Sequence, residues 1–483
     1  MKVGISIVEN EQILRNRFQN CSDVIFRELR IQGQTSLLFV FVDGMIDADT
    51  IVTNVLKPFL YDGLPQGFGA IDGVAQWFEQ ERVPVMSTKK LSAVDDIVDH
   101  ILKGNVAILA EGENNALLAD VAKYKTRAIE EPFNEATIRG SKEGFTELLR
   151  TNTTLLRRIL ATSKLKFESI TVGKITRTDI VIAYLEDVVS TPVLNEVRKR
   201  IKRIRIDGIL ESGYIEESIE DTHLSPFPQM INTERPDIVA TGLLDGKVAI
   251  LINGSSCALV VPMTFWDGLQ APDDNYERFL FVSMIRWIRY LFALFSLLFP
   301  SVYIALTNYH LEMIPLKLMM TVASLREMAP FPTVIEVMMM EVMFEGLREA
   351  GIRLPKQIGP LVSIVGALVL GEAAVRAGLI SAPIVIVVSA AGISSFIIPN
   401  FRFAFPLRML RFPLLILSGT FGLFGLGTGL MAILIHLVHL APFGMPYLAP
   451  VAPQNSRKLK GIFIRPPRKL VAHTEFNDEE APS

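Results

Sequence analysis

Cysteine and histidine are scarce in this chain, which limits the chemistry that it can perform. Among 483 residues there are two cysteines, Cys21 and Cys257, and six histidines. Two cysteines provide no disulfide framework, which fits a reducing compartment. The sequence also has no Walker A motif, no GxGxxG after a strand, no CxxC and no HExxH. We therefore expect no enzyme activity, no catalytic residues, no cofactor, no metal centre and no nucleic-acid partner. The polar half of the chain has the character of a binding or assembly module.

The N-terminus is also short of apolar residues. MKVGISIVENEQ has no h-region, so no cleaved signal peptide is expected. The region from position 1 to position 280 carries charges of both signs and precedes the first long apolar run, and the net charge of −3 conceals this division. Without a signal, this region is expected to stay in the cytoplasm. Arg278, Arg286 and Arg289 lie on that side of the first apolar run, as the positive-inside rule requires.

Long charge-free runs define the second half of the chain. Residues 290–309 form a stretch of 20 residues without a charge. As a helix it would be about 30 Å long, the thickness of the hydrocarbon core of a bilayer. Residues 381–399 and 412–440 are similarly apolar. The hydropathy pattern therefore predicts an integral membrane protein.

Two stretches of the polar half are related by one constant offset in residue number. GNVAILAEGENNALLAD begins at Gly104 and GKVAILINGSSCALVVPM begins at Gly246, and the same offset matches Gly112 to Gly254. The predicted helices at residues 48–63 and 191–206 match at this offset too. One shared offset for two elements indicates two copies of an α/β subdomain, and two merely similar hairpins are the alternative.

Local patterns predict the elements within these copies. In the first copy they favour helices in residues 1–35, a buried strand at 36–43, and a helix at 92–103 capped by Ser92. In the second they favour a strand at 179–187 and a shorter element at 209–221. The connecting stretch carries Arg150, Arg157 and Arg158 as a basic face, for which a solvated helix is the simpler interpretation.

The predicted fold class is an α/β soluble N-terminal region of two repeated subdomains, followed by an α-helical polytopic membrane domain. The expected boundaries are residues 1–130 for the first subdomain, 131–167 for a linker, 168–280 for the second subdomain, 281–450 for the membrane domain and 451–483 for a cytosolic basic and then acidic tail.

Four glutamates in one apolar, methionine-rich stretch are the candidate functional residues. Glu341, Glu345 and Glu349 recur every four residues, which places them on one stripe of a helix, while Glu336 points to the opposite side. A carboxylate at membrane depth is costly unless it faces water or a partner. The stripe is therefore expected either to line an ion pathway, with the deeper Glu341 as the first choice, or to lie at the membrane surface.

Three further features of this half bear on its topology. Glu372 and Arg376 have the i, i+4 spacing of an intramembrane ion pair. Arg402, Arg408 and Arg411 are expected in a loop between two spans, and the basic tail places the C-terminus inside. Both ends on the inside require four or six crossings. The arginine loop and the tail are separated by one apolar stretch, so they can lie on the same side only if that glycine-rich stretch is a hairpin broken at its glycines. Otherwise the arginine loop is an exception to the positive-inside rule.

Two other clusters of polar residues have a simpler explanation than metal binding. His436 and His439 are spaced i, i+3 and could share a metal, but they end an apolar run, where histidine commonly faces lipid headgroups. Asp43, Asp47 and Asp49 lack the spacing of a calcium loop. We interpret them as capping residues between a strand and a helix.

Long motifs give the chain a resemblance to one family. They are EEPFNEATIRGSKEGFTE, ERPDIVATGLLDGKVAILINGS, EMIP, REAGIRLPKQIGPLVSIVGALVLGEAAVRAGLISAPIVIVV and PYLAP, in this order between residues 130 and 450. In these motifs the chain resembles the A subunit of the GerA family of spore germination receptors, or its close paralogue of the spore inner membrane.

The resemblance implies a subunit of a nutrient germinant receptor in the spore inner membrane, with its N-terminal domain facing the cytoplasm or spore core. The implied partners are a transporter-like B subunit, a lipoprotein C subunit, further copies of the chain and the lipid bilayer. It further implies a homo-oligomer that conducts cations and triggers germination. The alternative is a carrier subunit with a cytosolic regulatory domain, although the spans show no inverted repeat.

The orientation can be tested with a cysteine at position 475. We expect Glu475→Cys to resist a membrane-impermeant thiol reagent in sealed, right-side-out vesicles, because the basic tail is retained inside. Labelling should appear once the vesicles are permeabilised. Ready labelling from the outside would reverse the predicted orientation.

Overall fold

The computed structural model describes residues 2–31, 35–46, 88–121, 135, 140–327, 329–353, 371–454 and 456–465. The chain divides into two compact units, one of Met1–Asp221 and Met230–Pro262, the other of Thr222–Gln229 and Met263–Ser483. The helix predicted at residues 48–63, most of residues 122–139 and the tail beyond residue 465 lie outside the described residues. The segment boundaries expected from the sequence stay predictions.

The first unit contains two five-stranded sheets in which all neighbouring strands are antiparallel. The strands of the first sheet are β1 (Val24–Ile31), β2 (Thr35–Val42), β3 (Thr88–Leu91), β4 (Val106–Ala110) and β5 (Ala116–Ala119). Those of the second are β6 (Leu165–Val172), β7 (Thr178–Leu185), β8 (Ile231–Thr233), β9 (Val248–Ile252) and β10 (Ala258–Val261). The strand orders, β1-β2-β4-β5-β3 and β6-β7-β9-β10-β8, are equivalent.

Six helices accompany these sheets in the part of the chain that the structure describes. They are α1 (Ile7–Arg17), α2 (Val94–Leu102), α3 (Leu149–Ile159), α4 (Thr191–Arg203), α5 (Ser212–Ile219) and α6 (Pro236–Leu244). Helix α2 has apolar residues at helical spacing, and it buries Ile97 and Ile101 against Leu38 and Val40 of the first sheet. Helix α6 contributes Val239 and Leu243 to the core of the second sheet in the same way.

The repeat expected from the sequence is confirmed by these elements. Strands β4 and β9 begin at Val106 and Val248, and strands β5 and β10 begin at Ala116 and Ala258, so both pairs keep the offset that relates Gly104 to Gly246. Helices α2 and α6 obey the same offset, which the sequence patterns had not revealed. Equal strand order together with an equal offset identifies two copies of one α/β subdomain.

Two local predictions were wrong. Residues 24–31 have apolar positions three and four apart, yet they form strand β1, because every residue from Val24 to Ile31 pairs with β2. Backbone pairing along a whole strand outweighs a short helical periodicity. Ser92 does not cap α2 either, since the N-cap is Ala93 and makes no side-chain cap bond.

The two copies are joined by a short backbone contact and a buried ion pair. Ser22 donates its backbone N–H to the carbonyl of Phe167 at 3.0 Å, and Phe167 donates to Asn20 at 2.9 Å. Beside this contact Arg157 donates from Nε and Nη2 to Asp23, with both bonds at 2.9 Å and neither side chain more than 1% exposed. Arg157 is therefore fully buried and does not belong to the solvated basic face expected from the sequence.

The second unit is helical. The helices that the structure describes with both ends are α7 (Phe279–Tyr309), α8 (Leu316–Arg326), α9 (Thr333–Arg353), α10 (Ala382–Phe396), α11 (Phe401–His439) and α12 (Ser456–Phe463). Among the described residues, α7 and α11 are long and apolar enough to cross a membrane, with mean hydropathies of 1.8 and 2.0. Helix α10 is a shorter apolar helix, and α8 buries none of its residues. An apolar core of Ile304, Val337, Ile384 and Leu415 joins four of these helices.

Helix α11 is a helical hairpin, which decides between the two alternatives left by the sequence. Gly422 has φ 60° and ψ −140°, a backbone conformation that is readily available only to glycine. A Cβ placed on Gly425 would collide with the carbonyl oxygen of Leu417, and one on Gly429 would lie 2.5 Å from Leu414. In a straight helix, residues 417 and 425 would be about 12 Å apart. The chain therefore reverses at Gly422.

The buried pair between the copies generates a stability prediction. We expect Arg157→Leu to lower the melting temperature of the full chain by on the order of 10 °C, because it leaves Asp23 buried without its partner. Thermal unfolding in detergent measures the change.

The matched control is Arg17→Gln, which removes an ion pair at 3.0 Å with side chains that are 53% and 63% exposed. It should shift the melting temperature little. The double variant Asp23→Leu/Arg157→Leu should recover much of the loss. Equal shifts for Arg157→Leu and Arg17→Gln would show that the buried pair does not hold the copies together.

Candidate functional site

Five charged side chains meet inside the helical unit. Helix α9 contributes Glu341, Glu345 and Arg348, and the first arm of α11 contributes Arg408 and Arg411. The acids are spaced i, i+4 and the arginines i, i+3, so each pair faces one direction from its helix. We call these five residues the charged seam.

Glu341 and Arg411 form the deepest part of the charged seam. Nη1 of Arg411 donates to both carboxylate oxygens at 2.8 and 2.6 Å, and each side chain is only 1% exposed. Nη2 of Arg411 donates to Ser296 Oγ of α7 at 3.0 Å. One ion pair thus fixes three helices. Removing one partner of such a pair typically costs about 3–5 kcal/mol, because the other charge stays buried.

Glu345 is the centre of a second set of ion pairs in the charged seam. We call this set the second rung, and the pair of Glu341 and Arg411 the first rung. Glu345 accepts from Arg408 at 3.0 Å and from Arg348 at 3.1 Å, and its side chain is 31% exposed. Arg348 also donates to Ser395 of α10 at 3.0 Å. Its guanidinium lies 4.7 Å from the centroid of the Phe396 ring, within the range of a cation–π contact. The second rung therefore connects α9 to α10 as well as to α11.

Positive charge is in excess in the charged seam, where three guanidinium groups face two carboxylates. The Nε atoms of Arg348, Arg408 and Arg411 are buried and donate to no acceptor among the residues that the structure describes. The charged seam therefore carries a formal excess of one positive charge.

Glu336 lies on the other side of α9, as its spacing predicted. It is fully buried and accepts a hydrogen bond from the backbone N–H of Ser381 at 2.8 Å. Ser381 is the N-cap of α10, so the carboxylate lies at the positive end of that helix dipole. This contact ties α9 to α10 through Oε2, while Oε1 has no hydrogen-bond partner among the residues that the structure describes.

One face of α9 remains exposed in the single chain. Ile335, Val342, Gly346, Glu349 and Arg353 recur along it at helical spacing. Val342 is 59% exposed, and a Cβ on Gly346 would meet nothing within 4 Å. We call these five residues the exposed stripe. At its end, Glu349 and Arg353 form an exposed ion pair at 2.6 Å.

The structure therefore separates the three acids that the sequence placed on one stripe. Glu341 points into the subunit, Glu349 points outward, and Glu345 lies between them. Glu372 and Arg376 do form an ion pair, at 2.5 Å, with side chains that are 55% and 79% exposed. His436 contacts Ser225 at 2.9 Å and stacks on Phe227.

Sequence reasoning missed Arg408 and Arg411. It expected them in a loop, but they belong to α11, which begins after the N-cap Asn400. Asn400 accepts from the N–H of Phe403 at 3.2 Å, so the helix starts before the arginines. The available signal was the matching spacing of two acids and two arginines on two apolar helices.

The first unit has a candidate site of its own. A cavity of about 440 Å³ is bounded by α3 and strands of the second sheet, and its lining includes Arg150, Thr154, Arg158, Asp179 and Asn253. This volume lies within the range of small-molecule pockets, and the lining offers both donors and acceptors.

The architecture defines a class of protein with a repeated α/β unit and an apolar helical unit that holds buried charge. Comparison with known proteins agrees with this class. The family model described as Bacillus/Clostridium GerA spore germination protein matches residues 12–475. The chain therefore belongs to the GerA family of spore germination proteins, and the resemblance inferred from the motifs is confirmed.

Individual relatives match over nearly the whole chain. The membrane protein YfkQ of Bacillus subtilis (strain 168) is 44% identical over 96% of this chain and 90% of its own length. Spore germination protein KA of the same organism is 39% identical over 96% of this chain and 85% of its own length. Spore germination protein GerLA of Bacillus cereus is 35% identical, covering 95% and 92%.

One solved structure is also similar. It is the N-terminal domain of the A subunit of the Bacillus megaterium spore germinant receptor GerK3, with 29% sequence identity and a TM-score of 0.43. The match covers 54% of this chain and 96% of that domain.

A double-mutant cycle tests the deepest pair. We expect Glu341→Gln and Arg411→Gln each to destabilise the helical unit by about 3–5 kcal/mol, and the double variant to cost much less than the sum. Unfolding of the purified chain in detergent micelles provides the measurement. Glu372→Gln, which breaks an exposed pair, should cost at most about 1 kcal/mol. Additive single effects would mean that the two residues do not interact.

Proposed function

We propose that this chain is the A subunit of a spore germinant receptor, and that copies of it assemble into an oligomer that conducts monovalent cations. Membership of the GerA family supports the first part. The observation that supports the second is the set of charges buried between apolar helices. Ionisable residues at membrane depth are rare, and they usually mark an ion or substrate pathway or the elements that control it.

The exposed stripe of α9 is the proposed lining of the pathway. Val342 and Gly346 are its apolar and small positions, and Glu349 lies near its end. In a symmetric oligomer each position becomes a ring. A ring of valines forms an apolar constriction that dewets, and a ring of carboxylates attracts cations and repels anions.

With this lining, Glu349 replaces Glu341 as the first candidate for the acid of the pathway. Glu341 was the first choice from the sequence, but its carboxylate is paired with Arg411 inside the subunit. Glu349 is the acid with an exposed side chain, 60% exposed, on the stripe. Glu345 lies beside the stripe, and Glu336 holds α10 in place.

The proposed topology has both termini in the cytoplasm and several crossings of the spore inner membrane. The hairpin at Gly422 supplies two of these crossings, because its two arms return the chain to the side from which it entered. Arg402 and the basic C-terminal segment then lie on the same side, as the positive-inside rule prefers. We propose a transporter-like B subunit and a lipoprotein C subunit as partners, because the family resemblance implies them.

A carrier is the competing class of function. A carrier exchanges one solute for another, whereas a channel passes ions without a counter-substrate. Cation flux through the purified full chain in liposomes that lack any counter-substrate favours the channel.

A size series at Val342 tests the constriction. We expect Val342→Ala to raise basal potassium efflux from proteoliposomes several-fold, because a smaller ring widens and wets the pore. When Val342→Trp is added to another variant that conducts, it should reduce the efflux of that variant, because a larger side chain narrows the ring. The matched control is Ile386→Ala on α10, where the replaced side chain is 69% exposed but lies away from the stripe.

Equal efflux for Val342→Ala and Ile386→Ala would remove the stripe from the pathway. Efflux that depends on a counter-substrate inside the vesicle would favour the carrier. Oligomer size should be the same in all three proteins by mass photometry, so that the comparison reports on the pore and not on assembly.

A further inference from the structure

We infer that Arg408 and Arg411 lock α9 in a rotational position that keeps two carboxylates, Glu345 and Glu341, away from the exposed stripe. The inference concerns the regulation of the pathway and rests on the proposed function. It assigns a role to two arginines that neither the motifs nor the family membership assigns. The conducting state would then require the lock to open.

The register of the charged seam couples its ion pairs to one another. Glu341 pairs with Arg411 and Glu345 pairs with Arg408, so residue numbers rise on α9 as they fall on α11. The two helices are therefore antiparallel at this place, and both rungs form together. Rotation of α9 about its axis breaks both pairs at once.

The angular positions on α9 give the size of that rotation. At 3.6 residues per turn, Glu345 lies about 60° from Val342 around the helix, and Glu341 lies about 100° away on the same side. A rotation of about 60° would therefore carry Glu345 to the angular position that Val342 occupies, about 4.5 Å further along the helix axis. Glu345 is also the acid whose side chain is partly exposed, at 31%, while Glu341 is buried.

The charges explain why this rotation would change conduction. In the locked state the carboxylates are neutralised by arginines that exceed them in number, so the seam gives a passing cation no attraction. Once Glu345 leaves Arg408, only Arg348 of the same helix remains beside it, and Arg348 is also bonded to Ser395 of α10, so Glu345 would present a less neutralised carboxylate to the pathway. A ring of such carboxylates would replace an apolar constriction with a cation-attracting one.

The test uses the full chain in proteoliposomes and measures basal potassium efflux. Arg408→Gln removes the guanidinium that bonds Glu345 from α11 and leaves Arg348 as its one remaining ion-pair partner, and we expect efflux at least ten-fold above wild type. In the double variant Glu345→Gln/Arg408→Gln the carboxylate is gone, and efflux should return to the wild-type rate. Arg408→Lys keeps the charge and should stay near wild type. The control Arg376→Gln breaks the exposed pair with Glu372, outside the charged seam and the exposed stripe, and should not open the lock.

Each result decides the matter. High efflux in both Arg408→Gln and the double variant would mean loosened packing, and would overturn the lock. No efflux from Arg408→Gln, while Val342→Ala conducts, would overturn the lock and leave the proposed function standing. No efflux from any variant, Val342→Ala included, would overturn both. If Arg408→Gln does not fold, the charge swap Glu345→Arg/Arg408→Glu carries the test: a folded swap with low efflux supports the lock, and a leaking swap overturns it.

Discussion

The contact between Glu341 and Arg411 joins two apolar helices of the helical unit through buried charge. Two full charges lie between apolar helices, and each is tolerable there only because the other lies within hydrogen-bond distance. The pair fixes the facing sides of α9 and α11, and Ser296 adds α7. With that side of α9 facing inward, Val342 and Gly346 face outward. The position of the proposed pathway thus depends on this buried ion pair, together with the Glu336 contact and the apolar core on the other sides of α9.

In the repeated unit, too, a buried ion pair joins separate parts of the structure. Each copy has its own apolar core, so the contact between copies need not be extensive, and its specificity comes from the buried pair of Arg157 and Asp23. Arg157 also donates to the carbonyls of Thr162 and Leu165, which satisfies a guanidinium that is wholly removed from water. Burial raises the pKa of the nearby Cys21 thiol, which leaves it protonated and unreactive. In both units a buried arginine joins segments that are distant in the sequence.

Features that depend on local pattern could be read from the sequence. The constant offset between the two copies predicted the repeat, since equal elements at an equal offset leave a trace in the residues themselves. The long apolar runs predicted the two longest helices. Strand β1 could not be predicted, because its pairing with β2 overrides a helical periodicity. Helical periodicity also gave the angles between Glu341, Glu345 and Glu349 around the helix. It did not show which side of α9 faces the interior of the subunit. Arg411, far from Glu341 in the sequence, decides that.

The radial order of side chains around the oligomer axis tests the central claim most directly. Electron cryo-microscopy of the purified full chain would measure the distances of Val342 and Glu341 from that axis. We expect Val342 to lie closer to the axis than Glu341, with the carboxylate of Glu341 still bonded to Arg411 behind it. A structure in which Glu341 faces the axis without Arg411, or in which the exposed stripe faces lipid, would contradict the account.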